Sequence, residues 1–194
     1  EPLLAPGVNG VALTYDFALC EDHAPLMRAS RPDFASGQPV NRMIAIPAST
    51  DDLLNKLEAV RLVCQETGCA QRYLGGDALS AIQQTTRQMD AELNTNYDER
   101  FRAYLERVYA EDLTLGVAMT DGKGDRSRRP SQQANPDAYV RIVERRKDGI
   151  VISGVKAIIT GAPYMHELLV MPGRNLSEAD ADYAVCCAVP VDAE

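Results

Sequence analysis

At residue 115 the hydrophobic pattern changes, and that change limits the folds open to this chain. From residue 49 to 113, apolar residues recur at helical spacing. From Leu115 onward they come in short runs broken by turn formers. In "PASTDDLLNKLEAVRLVCQETG", Ser49 and Asp52 have capping-box spacing, Leu53, Leu57, Val60 and Cys64 share a face, and Gly68 is the stop. A second helix is predicted from near Asp77, with Leu79, Ile82 and Met89 inward. A third follows Asp98 as N-cap, on the stripe Phe101, Tyr104, Leu105 and Val108. Residues 1–48 are proline-rich and weakly periodic, with one short helix around Tyr15–Cys20. Beyond Leu115, "AYVRIVERR", Lys147-Asp148-Gly149 and "IVISGVKAIIT" read as strand, tight turn and strand. "HELLVMP" and "YAVCCAVPV" read as two more strands. Gly154 inside a strand suggests a bulge or a close backbone approach. Helices first and strands last predict an α+β chain. The expected division is a mainly helical domain over 1–113 and a β domain over 114–194.

Composition removes some functions. Net charge is −8 and the pI about 4.8, which argues against nucleic acid as a partner. Arg126, Arg128 and Arg129 form one local basic cluster and read as a solvated loop. No run approaches the roughly 18 apolar residues of a membrane span. Five cysteines without disulfide spacing suggest free thiols in the cytoplasm. Cys186 and Cys187 alternate faces in a strand and cannot form a zinc pair by themselves. His166 reads as structural, and His23 carries no argument. The chain begins at Glu1 and ends in an apolar strand, so both ends read as cut from something longer.

Three stretches stand out together: "TGCAQRYLGGDAL" at 67–79, "MTDGKGDRS" at 119–127 and "GVKAIITGAPYMHELLVMP" at 154–172. In order and separation they resemble the flavoprotein family of 4-hydroxyphenylacetate 3-monooxygenase and 4-hydroxybutyryl-CoA dehydratase. The resemblance covers nearly the whole chain. It implies an acyl-CoA-dehydrogenase-like fold: an N-terminal helical domain, then an antiparallel β domain, with the C-terminal helical bundle missing here. It also implies a homotetramer when the protein is full length.

By that resemblance, the loop after the first strand contacts FAD through Met119, Thr120, Asp121, Gly122, Lys123, Gly124, Asp125 and Arg126. Met119 and Thr120 would meet the ring edge, and Gly122 and Gly124 would allow close backbone approach. Lys123 and Arg126 would supply charge at the phosphates, and Asp125 would orient Arg126. Ile159, Thr160 and Gly161 would form the second flavin contact.

The two branches of the family differ in "CAQRY". The dehydratase branch has two cysteines four residues apart that help hold a [4Fe–4S] cluster. The monooxygenase branch has an arginine and a tyrosine there. This chain has Cys69 and Tyr73, one from each pattern. A phenol is a poor ligand for a soft iron site, so no cluster is expected, and Cys69 is a metal ligand only under the dehydratase reading. Tyr73 and Arg72 are the candidate catalytic residues, Arg72 as a substitute cation. The leading expectation is an FAD-dependent oxidoreductase that hydroxylates a phenol-like aromatic substrate, using reduced flavin from a separate reductase and O2. The alternative is a dehydratase/isomerase acting on a CoA thioester. A third, non-catalytic reading is an interaction module.

Overall fold

The computed structural model describes residues 2–34 and 37–193. The chain forms two compact units. The first comprises 1–115 with 163–166, and the second 116–162 with 167–194. Helices dominate the first and small sheets the second, so the chain is α+β. Among the described residues no helix is long and apolar enough to cross a membrane.

In the first unit, α1 (Ala5–Leu19) and α2 (Ala24–Met27) precede a two-residue ladder of β1 (Arg28–Ala29) and β2 (Val40–Asn41). Then come α3 (Thr50–Thr67), α4 (Gln71–Leu93) and α5 (Tyr97–Ala110). Ala18, Met27, Met43, Ala59 and Val63 form one buried cluster. The N-terminal helix is therefore much longer than the Tyr15–Cys20 segment expected.

The Ser49 hydroxyl accepts from the Asp52 N–H at 3.1 Å, and Gly68 ends α3 at φ 74°. The buried stripe of α3 is Lys56, Ala59 and Val63. Leu53 and Leu57 remain 43% and 46% exposed, and Cys64 is also exposed, so the expected stripe is displaced to its neighbour. Two adjacent helical stripes differ by about one residue's rotation, and tertiary packing chooses between them.

α4 begins six residues earlier than the Asp77 expectation, because close packing here requires glycines. A Cβ on Gly75 would lie 2.6 Å from the Leu115 carbonyl oxygen, and one on Gly76 2.4 Å from that of Met43. The start of α5 is capped by Asp90 rather than by Asp98. The Asp90 carboxylate accepts from the Tyr97 and Asp98 N–H groups, both at 2.8 Å. α5 ends in a Schellman motif, with Asp112 at φ 50° and Leu113 N–H donating to the Val108 carbonyl at 3.0 Å.

In the second unit, β4 (Arg141–Arg145) and β5 (Ile150–Ser153) form the expected hairpin, with a register shift between Ile142 and Glu144. β5 stops at Ser153 because Gly154, at φ 137°, abuts Tyr139; an added Cβ would lie 2.3 Å from that carbonyl. A second sheet has the order β3 (Leu115–Ala118), β6 (Glu167–Val170), β7 (Cys187–Pro190). β6 and β7 are antiparallel. At the β3 edge, Thr114 accepts from His166 and Ala118 from Met171, so partners advance together and the pair is parallel. The expectation of a wholly antiparallel β domain is corrected at this pair.

Asp180 ties the loops of this unit together. It is buried, and its carboxylate accepts from the N–H and hydroxyl of both Ser131 (3.0 and 2.7 Å) and Ser177 (3.0 and 2.7 Å). The two hydroxyls first, then the two amides, hold this carboxyl well below the usual range. A depressed carboxylate contributes stability above its unfolded pKa of about 4 and loses it as pH falls towards the folded value. Asp180→Asn is therefore expected to lower the melting temperature at pH 7 and to flatten the acid side of the stability profile below pH about 4. Thermal melts at pH 7, 5 and 3 check this. A variant with the wild-type acid slope would remove Asp180 as its source.

Candidate functional site

The 67–79 segment spans the break between α3 and α4. Cys69 is exposed and lies outside the helix, since Ala70 is the N-cap of α4. Its carbonyl oxygen is 2.6 Å from the Thr67 hydroxyl. Tyr73 sits in the first turn, half-buried, with its N–H donating to the Ala70 carbonyl at 3.0 Å. Partial burial, then the charge of Asp77 and a hydrogen bond to it, pushes the Tyr73 phenol above its usual range. The shared helical face that a four-residue separation would give Cys69 and Tyr73 does not arise, because Cys69 precedes the helix.

Arg72 turns the other way and is fully buried. Its guanidinium donates to the Asp112 carbonyl at 2.7 Å and to the Thr14 hydroxyl at 3.3 Å, and it pairs with the Asp112 carboxylate. It also stacks 4.1 Å over the Tyr15 ring. The Tyr15 hydroxyl is 2.6 Å from the Thr114 hydroxyl. Adjacent helical residues point about 100° apart, and here Arg72 lies in the core while Tyr73 is half-buried. Arg72 is thus a core cation, corrected from the substrate-side position expected. His166 belongs to the same unit, and its Nδ1 accepts from the Thr114 N–H at 2.9 Å, a structural contact.

The second unit brings the other two motifs together. After β3 the chain turns outward, leaving Met119 and Thr120 exposed. Asp121 forms an antiparallel bridge with Lys156, and the Ala157 N–H donates to the Thr120 carbonyl at 2.9 Å. The Lys156 ammonium donates to Asp121 Oδ1 at 2.5 Å and to the carbonyls of Met171 at 2.7 Å and Met119 at 3.1 Å. Lys156 therefore pins the first loop to the second, a role that sequence reasoning missed. Its one signal was a lysine inside the apolar run "GVKAIIT". Three residues on, Ile159 is half-buried, Thr160 exposed and Gly161 buried. Ile158 is 79% exposed at φ 62°, a strained conformation for a β-branched residue.

The loop glycines serve its own packing. A Cβ on Gly122 would lie 2.7 Å from the Ala138 carbonyl, and one on Gly124 2.4 Å from the Gln133 amide oxygen. Asp125 does not orient Arg126. It accepts from Ser127 N–H (3.0 Å) and hydroxyl (2.6 Å) and pairs with Arg128 at 3.3 Å. Those Ser127 bonds lead in holding its carboxyl below the usual range. Arg129 lies 3.5 Å from Asp180. Lys123 and Arg126 are exposed and make no ion pair among the described residues. This donor set fits an anionic pyrophosphate: two free cations flank a loop whose acids are already neutralised by other partners.

Comparison with known proteins gives relatives in both branches. The chain is 43% identical over its full length to a 4-hydroxybutyryl-CoA dehydratase/vinylacetyl-CoA-Δ-isomerase of Clostridium aminobutyricum, covering 39% of that protein. It is 25% identical over 98% of its length to a 4-hydroxyphenylacetate 3-monooxygenase oxygenase component of a Geobacillus strain, covering 38% of it. The chain thus spans about two-fifths of the length of these relatives. Among solved structures, an oxygen-tolerant archaeal 4-hydroxybutyryl-CoA dehydratase from N. maritimus matches all of the chain, and 38% of its own, at TM-score 0.93 and 40% identity. The FAD complex of a 4-hydroxyphenylacetate 3-monooxygenase oxygenase component shares the fold, at TM-score 0.76 and 23% identity over 98% of this chain and 38% of its own. The family model described as 4-hydroxyphenylacetate 3-hydroxylase N terminal matches residues 1–194, and the chain belongs to that family.

Proposed function

We propose that this chain is the N-terminal part of a flavin-dependent enzyme acting on a CoA thioester. FAD is held on the β unit by the loop Met119–Arg126 and by Ile159–Gly161. The observation that carries the thioester reading is the match to a dehydratase structure over the whole chain at TM-score 0.93 and 40% identity. Bound FAD would supply the redox chemistry. The chain's own residues supply the rest. Lys123 and Arg126 balance the pyrophosphate, Lys156 fixes the two loops in register, and Tyr73 acts on the substrate.

The residues present do not fit a [4Fe–4S] cluster. A ligand must ionise, and the Tyr73 phenol is held protonated above its usual range. It is also a hard oxygen donor where iron–sulfur chemistry takes thiolate. Within the thioester class, this favours double-bond isomerisation over dehydration. Moving a double bond into conjugation takes a proton from the carbon beside the thioester carbonyl and returns one at the γ-carbon. Nothing is expelled, so no Lewis acid is needed for a departing hydroxyl. Tyr73, a neutral phenol at ordinary pH, is the hydrogen-bond donor to the thioester oxygen as negative charge develops there.

A second reading keeps phenol hydroxylation with reduced flavin from a separate reductase, and Tyr73 favours it. That position follows the monooxygenase pattern, and a phenol donor suits an aromatic hydroxyl. In either reading we place the protein in the cytoplasm, where five free thiols persist, and expect a homo-oligomer.

The test uses anaerobically purified full-length protein. We expect it to convert vinylacetyl-CoA to its conjugated isomer with no bound iron. Tyr73→Phe should lower kcat on the order of 100-fold. Dehydration of 4-hydroxybutyryl-CoA with iron at one cluster per chain would overturn the proposal. Hydroxylation of a phenol, on adding reductase and O2, would establish the second reading instead.

A further inference from the structure

The geometry points to Lys56 as the positioning residue of Tyr73: its buried amine holds the Tyr73 ring. This rests on the reading that Tyr73 acts on substrate. Lys56 lies on the buried face of α3 and is 2% exposed. Its amine donates to the Ala45 carbonyl at 2.9 Å and stands 5.5 Å from the centre of the Tyr73 ring. The first turns of α4 are shaped around it. A Cβ on Gly76 would lie 2.5 Å from the Lys56 nitrogen and 2.4 Å from the Met43 carbonyl oxygen, so a larger residue there would crowd the amine against fixed backbone.

The amine makes no ion pair among the described residues. Asp52, on the same helix, is spent on Arg42. Burial brings the Lys56 amine down to about 8, with Asp77 and Asp52 opposing and Arg42 assisting. An unpaired ammonium buried where a methionine would fill the same space costs stability. Such a cost is maintained where charge has work to do. Here the work is directed at one aromatic ring. A charged amine attracts the ring face, while a neutral one does not. The same charge opposes that of Asp77, which with its hydrogen bond helps hold the phenol above its usual range.

The test has two arms, both on full-length protein. The first labels tyrosine with 13C at Cζ and follows the Tyr73 signal, identified by its loss in Tyr73→Phe, from pH about 6.5 to 9.5. We expect a step centred near pH 8 that is absent in Lys56→Met. A flat wild-type signal, or one that keeps the step in Lys56→Met, overturns the proposal without reference to any reaction. The second arm is kinetic. Lys56→Met should lower kcat about 10-fold with little change in KM, and should cost nothing further in a Tyr73→Phe background. Equal losses in both backgrounds, or an unchanged kcat and pH profile in the single variant, would also overturn it. If no substrate of either class turns over, the functional reading falls and the spectroscopic arm still decides the coupling.

Discussion

Replacing Arg72 by methionine is expected to destabilise the helical unit by about 3 kcal/mol, lowering its melting temperature on the order of 10 °C. Arg72 is the largest fully buried side chain, and no water reaches it. It satisfies the carbonyl and carboxylate of Asp112 and touches the Thr14 hydroxyl and the Tyr15 ring. Asp112 is the left-handed residue that ends α5, a place where glycine is usual. Removing the guanidinium leaves that carbonyl with only the Tyr15 hydroxyl at 2.9 Å and the carboxylate with only the Asn41 amide at 3.4 Å, at a strained position. The Asp112 side chain is one-third exposed, which lets water recover part of the loss and keeps the figure below the largest values for broken buried pairs. Arg72→Lys keeps the charge but loses the fork, and should fall between the two. Denaturant melts on the three proteins check this. If Arg72 were instead a substrate cation, Arg72→Met would keep full stability and lose only activity.

That contrast shows what the sequence made legible. Helical spacing found the bodies of α3, α4 and α5, and the Lys147-Asp148-Gly149 turn found the β4–β5 hairpin. The start of α4 was hidden because "LGGD" contains two residues that disfavour helices. Their reason lies elsewhere in the chain, in the Met43 and Leu115 carbonyls that crowd them. Lys56 was hidden for a related reason. A lysine in a helix reads as solvent-facing, and only tertiary packing reveals it beneath Tyr73. In the β unit the resemblance paired the loop 119–126 with residues 159–161, and the contacts that join the two stretches lie earlier, between 119–121 and 156–157. It did not foretell that Lys156 joins them, or that Asp125 serves Ser127 and Arg128. Local pairings of this kind depend on loop conformation, which periodicity does not encode.

Lys123 and Arg126 are the free cations of the loop we propose to hold FAD. Each faces solvent, and the nearby acids Asp121 and Asp125 already have partners. A pyrophosphate placed there gains charge-assisted hydrogen bonds that no protein group competes for. Reversing both charges removes those bonds and adds repulsion. The unit should still fold, since neither side chain supports a buried contact. The most direct measurement is the dissociation constant of FAD from full-length Lys123→Glu/Arg126→Glu, by flavin fluorescence, against wild type. A control variant, Arg145→Glu/Lys147→Glu, carries the same change in net charge on the β4–β5 hairpin. Affinity is expected to weaken on the order of 100-fold in the loop variant and to stay nearly unchanged in the control. Equal affinity in the loop variant and wild type, with wild type binding FAD tightly, would place the cofactor elsewhere and contradict the proposed site.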